Sequence, residues 1–214
     1  MKIKHYTFFT DSHRIFLKYF LNTFHFDKDI DLCIRYMPQE CSSGDYVSEG
    51  WNDTMKRKVE YIIEAFNELE DGSVFIHSDA DLIFIKPYKE TLIQEMGDCD
   101  IIFQNDWNTP CMGFFACKVS EKTKNLFIKV RDEMHNHEQD QACVNFLLKN
   151  TNHGLKYKLF SHKFYNYGFT GKIYDNENDF LIPNDMILLH ANFAVGVEKK
   201  KKIISIVLKK FNIK

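Results

Sequence analysis

Apolar runs of strand length alternate with stretches of helical period through the first half of this chain. That alternation limits the fold more than any other feature. Residues 3–10 (IKHYTFFT) read as a strand, 13–24 as a helix and 29–37 as a second strand. A polar loop carrying Gly and Ser, residues 39–53, leads into residues 54–70. There Met55, Val59, Ile62, Ile63, Phe66 and Leu69 recur with the period of an amphipathic helix. Asp71-Gly72 stops that helix, SVFIHS (73–78) is the next strand, and DLIFIKP (81–87) a short fourth. Such alternation predicts a mainly parallel sheet covered by helices on both faces.

The second half is more mixed. A helix over 88–97 precedes strands over 98–106 and 112–119. Helices over 120–137 and 140–150 follow, then strands over 155–160 and 185–192, and a basic amphipathic helix over 197–214. No repeat or low-complexity linker divides the chain, and 214 residues suffice for one sizeable core. The expectation is a single α/β domain over 1–214 with a mainly parallel, mixed central sheet.

Composition removes some function classes. A net charge of −2 gives no globally basic surface, so no nucleic-acid partner is expected. No run approaches the roughly 20 apolar residues that span a bilayer. The N-terminus lacks the apolar stretch of a secretory signal. The six Cys include no C-x-x-C pair and several sit in apolar runs, which reads as buried reduced thiols and a cytoplasmic protein. The terminal helix suits either an anionic membrane surface or packing of Ile203, Ile204, Val207, Leu208 and Phe211 on the domain. The second use is the expectation.

The chain contains four D-x-D pairs: Asp27/Asp29, Asp29/Asp31, Asp79/Asp81 and Asp98/Asp100. Only Asp79-Ala80-Asp81 directly ends one apolar strand and directly precedes another. Ligands of open α/β sheets bind at carboxyl ends of strands, and a shared divalent cation removes the repulsion between two carboxylates held there. His190 also follows an apolar run, MILL. An imidazole with two carboxylates is a mixed N/O set that suits Mn²⁺, with Mg²⁺ as the alternative. Gly196 and Lys199 follow; Gly permits close backbone approach, and a Lys beside a cation suits a diphosphate.

The runs SDADLIFIKP, CMGFFACK, DQACVNFLL and HANFAVGVEKK, in that order, resemble the nucleotide-diphospho-sugar transferases. These are GT-A-fold glycosyltransferases related to glycogenin and to retaining galactosyl- and xylosyltransferases. The resemblance implies a nucleotide-binding half over about 1–104 and a donor-sugar and acceptor half over about 105–214. It implies transfer of a sugar from a UDP-linked donor to a glycan or glycoprotein acceptor, dependent on a metal and with retention. Asp79, Asp81 and His190 match the metal ligands. Lys199 matches the diphosphate-contacting Lys, with Lys200 and Lys201 as alternatives because the segment is longer here than in glycogenin relatives. Thr10 and Asp11, at the end of the first strand, match the nucleoside contacts. Asn105 and Asp106 match the region holding sugar hydroxyls, Gly113 the small residue that leaves room for the sugar, and Asp140-Gln141 the pair beneath it.

Of three basic residues on the long helix that could meet the donor, Lys58 flanks the apolar stripe and Arg57 lies opposite it, so Lys58 is chosen over Lys56 and Arg57. Departure of a nucleoside diphosphate builds charge that a metal and a Lys offset. No carboxylate is assigned as a nucleophile, so same-face attack by the acceptor is expected, with the departing phosphate as base. Two other readings compete: a non-catalytic nucleotide-sugar-binding protein, and a D-x-D phosphohydrolase. The loop over 38–50 is expected to face the acceptor.

Overall fold

The structure is a computed structural model. It describes residues 2–24, 27–41, 44–45, 48–151, 154–166, 182–192 and 194–213. Residues 42, 43, 46 and 47 of the expected acceptor loop lie outside the described residues.

Strand β1 (Ile3–Phe9) is followed by helix α1 (Arg14–Phe24) and strand β2 (Ile30–Tyr36). Helix α2 (Trp51–Glu68) leads to β3 (Val74–Ser78) and β4 (Leu82–Phe84). Then come α3 (Lys89–Met96), β5 (Ile101–Asp106), β6 (Thr109–Lys118) and α4 (Glu121–Glu133). After a 3₁₀ turn at Met134–Asn136 follow α5 (Asp140–Asn150), β7 (Tyr157–Leu159), β8 (Phe164–Asn166), β9 (Leu188–His190) and α6 (Val197–Lys210).

The main sheet has the order β2-β1-β3-β6-β5-β7. β1 pairs in parallel with β2 and with β3, β7 in parallel with β5, and β6 runs antiparallel between β3 and β5. A parallel left half and an antiparallel insertion make this the mixed sheet expected. A second sheet, β4-β9-β8, was not foreseen. Strand β8 is three residues long and carries too little pattern to be read from sequence.

Among the described residues, three apolar clusters hold these sheets. Val59, Ile62 and Phe66 of α2, Phe127 of α4 and Leu147 of α5 pack on Phe75, Phe103 and Phe115 of the main sheet. On the other face, Phe20 of α1 and Leu92 of α3 pack on Ile76, Ile102 and Phe114, together with Phe84 and Leu188 of the small sheet. Ile203, Ile204 and Val207 of α6 cover Ile83 and Leu189, so the basic terminal helix buries its apolar face on the domain. Among the described residues, no helix is long and apolar enough to cross a membrane. The six cysteines are all free.

Strand β1 has β2 on one side and β3 on the other, which makes the carboxyl ends of β1 and β3 a topological switch point. Thr10 and Asp79-Ala80-Asp81 stand immediately beyond those ends.

Candidate active site

The small sheet explains how a histidine more than a hundred positions away reaches Asp81. β4 begins at Leu82, whose antiparallel partner on β9 is His190. The Ala191 amide donates to the Asp81 carbonyl at 3.1 Å, extending the ladder by one step. Asp79, Asp81 and His190 thereby offer ligand atoms that all lie within 4.8 Å of one another. The other D-x-D pairs serve local structure. Asp27 accepts from the Tyr88 and Lys89 amides at the start of α3, Asp29 pairs with Lys89 and Asp31 with Lys2. Asp98 pairs with Lys156, while Asp100 accepts from the Lys156 amide.

Asp81 and His190 are both buried, and His190 Nε2 lies 3.4 Å from Asp81 Oδ1. Burial lowers the histidine's proton affinity, but the Asp81 carboxylate overrides it and raises the pKa to about 10. Asp81 moves the opposite way. Burial disfavours its charge, yet Lys200 and His190 hold the carboxyl well below its ordinary value. Lys200 Nζ sits 2.5 Å from Asp81 Oδ2. Two carboxylates and an imidazole this close, backed by opposite charge, form a donor set for a divalent cation. The space above them is kept open by Gly113. A Cβ there would stand 2.8 Å from His190 Nε2 and 3.0 Å from Asp79 Oδ2, and closer still to His190 Cε1. The residues therefore fit a metal ion of the kind the D-x-D pattern implies.

A second charged cluster lies beside the first. Lys58, on the buried face of α2, is 2% exposed and places Nζ 3.0 Å from both Asp79 Oδ1 and Asp140 Oδ2. Burial opposes its charge, but the Asp140 and Asp79 carboxylates outweigh burial and leave its pKa above the usual lysine value. Gln141 donates to Asp106 Oδ2 at 2.8 Å and accepts from the Met112 amide at 3.2 Å. Asp106 is buried, and desolvation raises its pKa against the Gln141 hydrogen bond. Its Oδ1 has no hydrogen-bond partner among the described residues and so retains capacity for a ligand hydroxyl.

One cleft of about 460 Å³ joins these clusters. Of the residues picked from sequence, Thr10, Lys58, Asp79, Ala80, Asp81, Asp106, Gly113, Asp140, Gln141, His190 and Gly196 line it. Three of the expected residues, Asp11, Asn105 and Lys199, stand outside this lining. Asp11 is exposed and turned away, held by Arg14 at 3.3 Å and by the Tyr36 hydroxyl at 3.0 Å. Asn105 does not line the cleft; its side chain accepts from the Asn108 amide and closes the β5–β6 turn. Lys199 does not line it either, because α6 begins at Val197 and its phase turns Lys200 toward Asp81. Sequence reasoning also missed His13, Trp51, Thr54 and Met112 in the lining, and the buried Gln104 behind His190. The amphipathic period of α2 puts Thr54 one turn before Lys58 on the buried face, a usable signal; Gln104 gave none.

The sequence matches the nucleotide-diphospho-sugar transferase family over residues 27–204. The chain belongs to that family. A search of curated proteins returned no match. Among solved structures, the glycosyltransferase GlyE of Streptococcus pneumoniae is similar with a TM-score of 0.60 and 13% identity, over 99% of this chain and 63% of that one. The chain thus spans less than two thirds of the length of GlyE. A glycosyltransferase involved in glycosylation of the major capsid of PBCV-1 gives a TM-score of 0.61 at 9% identity, covering 95% of this chain and 98% of that one. Mouse xyloside xylosyltransferase 1 gives 0.52 at 11% identity, over 90% and 98%. At such identities the likeness is one of fold, and the fold is GT-A. Family match and fold agree: the chain is a member of the nucleotide-diphospho-sugar transferase family with a GT-A fold.

Proposed function

We propose that this transferase moves a sugar from a UDP-linked donor to a glycan or protein-linked acceptor, with a divalent cation, Mn²⁺ in preference to Mg²⁺, bound by Asp79, Asp81 and His190. The observation that carries the reading is the convergence of those three side chains at the switch point, with the Lys200 ammonium on Asp81. When bound, the cation supplies Lewis-acid stabilisation of charge on the departing diphosphate.

The chain's own residues supply the rest. Lys200 offers a positive charge to the same diphosphate, and Gly196 permits the chain to approach it closely. The nucleoside lies against Thr10 and the walls of Phe8, Phe9 and His13, within the half of the chain up to about residue 104. Lys58 fixes the Asp140 carboxylate, and Gln141 is held by Asp106 and the Met112 amide, so the polar face beneath the donor sugar is preorganised. The acceptor is assigned to the half from about residue 105. Asp140 is already committed to Lys58, and one oxygen of Asp106 to Gln141. That commitment supports attack from the face the diphosphate leaves, with its oxygen taking the acceptor proton and retention as the outcome. Six free thiols support a reducing compartment such as the cytoplasm.

The test is a panel of UDP- and GDP-sugars assayed for thermal stabilisation with Mn²⁺, because a ligand specific to the native state raises the melting point. A UDP-sugar should stabilise only with the metal present. Absence of stabilisation by every nucleotide-sugar would remove the reading.

A further inference from the structure

Behind the metal-ligand histidine stands a side chain that neither the sequence pattern nor the family likeness marks. Gln104 lies on β5 and is completely buried. Its Oε1 is 2.8 Å from His190 Nδ1, and its Nε2 donates to the Phe164 carbonyl of β8 at 3.1 Å. A carbonyl oxygen can only accept. The Phe164 carbonyl therefore fixes which end of the amide carries the NH₂, and the amide oxygen must face the imidazole. An oxygen there obliges Nδ1 to carry a proton. The other neighbour of Nδ1, Cys111 Sγ, is 3.9 Å away and is much the weaker contact.

The backbone shows why a glutamine reaches that point. The β5–β6 ladder shifts register between Phe103 and Gln104, so that Phe103 faces Phe115 while Gln104 faces Cys111. Met112, Gly113 and Phe114 lie in the stretch that β5 skips, and Gly113 is the residue that keeps space open over His190. Irregularities of this kind re-aim side chains beside active sites. Here the same break clears the front of the imidazole and brings an amide to its back.

We infer that Gln104 is a positioning residue for His190: clamped between the Phe164 carbonyl and the ring, it holds the proton on Nδ1 and so leaves Nε2 as the nitrogen available to a cation shared with Asp79 and Asp81. Gln104 touches neither metal nor substrate and acts only through His190. The inference rests on the proposed metal reading.

Its test is the affinity of the protein for Mn²⁺ alone, measured by the loss of the free-ion electron paramagnetic resonance signal, with melting points taken on the same samples. Gln104→Met keeps the volume and removes the acceptor; it should weaken Mn²⁺ binding about tenfold to a hundredfold, the usual effect of losing such a partner. Gln104→Glu retains an oxygen for Nδ1 and should stay within about threefold of the wild type, although it loses the donor to Phe164 and melts lower. In a His190→Ala background, Gln104→Met should cause no further loss, because the two residues act as one unit. Wild-type binding with Gln104→Met within threefold of it overturns this inference alone, as does an affinity that follows the melting point in both variants. A wild-type protein that binds no Mn²⁺ overturns the metal reading and this inference with it.

Discussion

Lys58→Met is the perturbation whose size the structure sets most directly. Methionine has nearly the length of the lysine stem, so packing changes little. What disappears is a cation 3.0 Å from two carboxylates, of which the Asp140 side chain is 3% and the Asp79 side chain 28% exposed. Breaking a buried pair by removing one partner costs about 3–5 kcal/mol, because the other charge stays behind unpaired. Asp79 is exposed enough to turn an oxygen to water, which places the cost near the lower end, about 3 kcal/mol. At roughly 2–4 °C of melting temperature per kcal/mol for a domain of this size, the fall is about 6–12 °C. Urea and thermal unfolding in EDTA would read it. Adding Asp140→Asn should recover at least half of the loss, since it removes the more deeply buried of the two stranded charges. A Lys58→Met protein melting within 2 °C of the wild type, or gaining nothing from Asp140→Asn, would refute the reasoning.

Two further outcomes follow from the same geometry. Lys200→Ala should raise KM for a UDP-sugar by roughly tenfold or more, the scale of one lost charged contact, while Lys199→Ala changes it less than twofold; initial rates against donor concentration separate them, and equal effects would contradict the phase of α6. In metal-free protein the folded pKa of His190, about 10, lies above its ordinary value of 6.5. Its stabilising contribution is thus complete below pH 6.5 and is lost as pH rises through 10. Asp81 has a depressed pKa, so its contribution is present above its ordinary 3.8 and fails only in stronger acid. Melting points in EDTA should therefore decline between pH 7 and pH 10 more steeply in the wild type than in His190→Gln, and parallel curves would contradict the pairing.

The fold was legible where a pattern repeats. The stripe from Met55 to Leu69 gave α2 and also singled out Lys58, whose position beside that stripe is what buries it. The apolar runs ending at Thr10 and Ser78 gave the strand ends where ligands bind, and position relative to them separated Asp79/Asp81 from three other D-x-D pairs that the structure spends on Lys and amide partners. Resolution failed where phase or tertiary pairing decides. Lys199, Lys200 and Lys201 differ by about 100° of rotation each, and only the start of α6 at Val197 tells which one meets Asp81. Asp11 has the right address at the end of β1, but its carboxylate meets Tyr36 and Arg14 and does not line the cleft. Gln104 looked like an ordinary polar position in IIFQND; the register shift that aims it at His190 involves Cys111 and Phe115 of the next strand and leaves no local trace. The ladder from Leu82 to His190 likewise depends on pairing across a long separation, which single-sequence periodicity does not record.

Release of free UDP from a UDP-sugar, followed with and without Mn²⁺ in the wild type and in Asp81→Ala, tests the central claim most directly. Donor cleavage should require the cation, and Asp81→Ala, folded by its melting curve, should lose about a hundredfold or more, the scale set by removing one group that holds reacting charge in place. UDP release that persists undiminished in EDTA, or in Asp81→Ala with the metal present, would contradict the account.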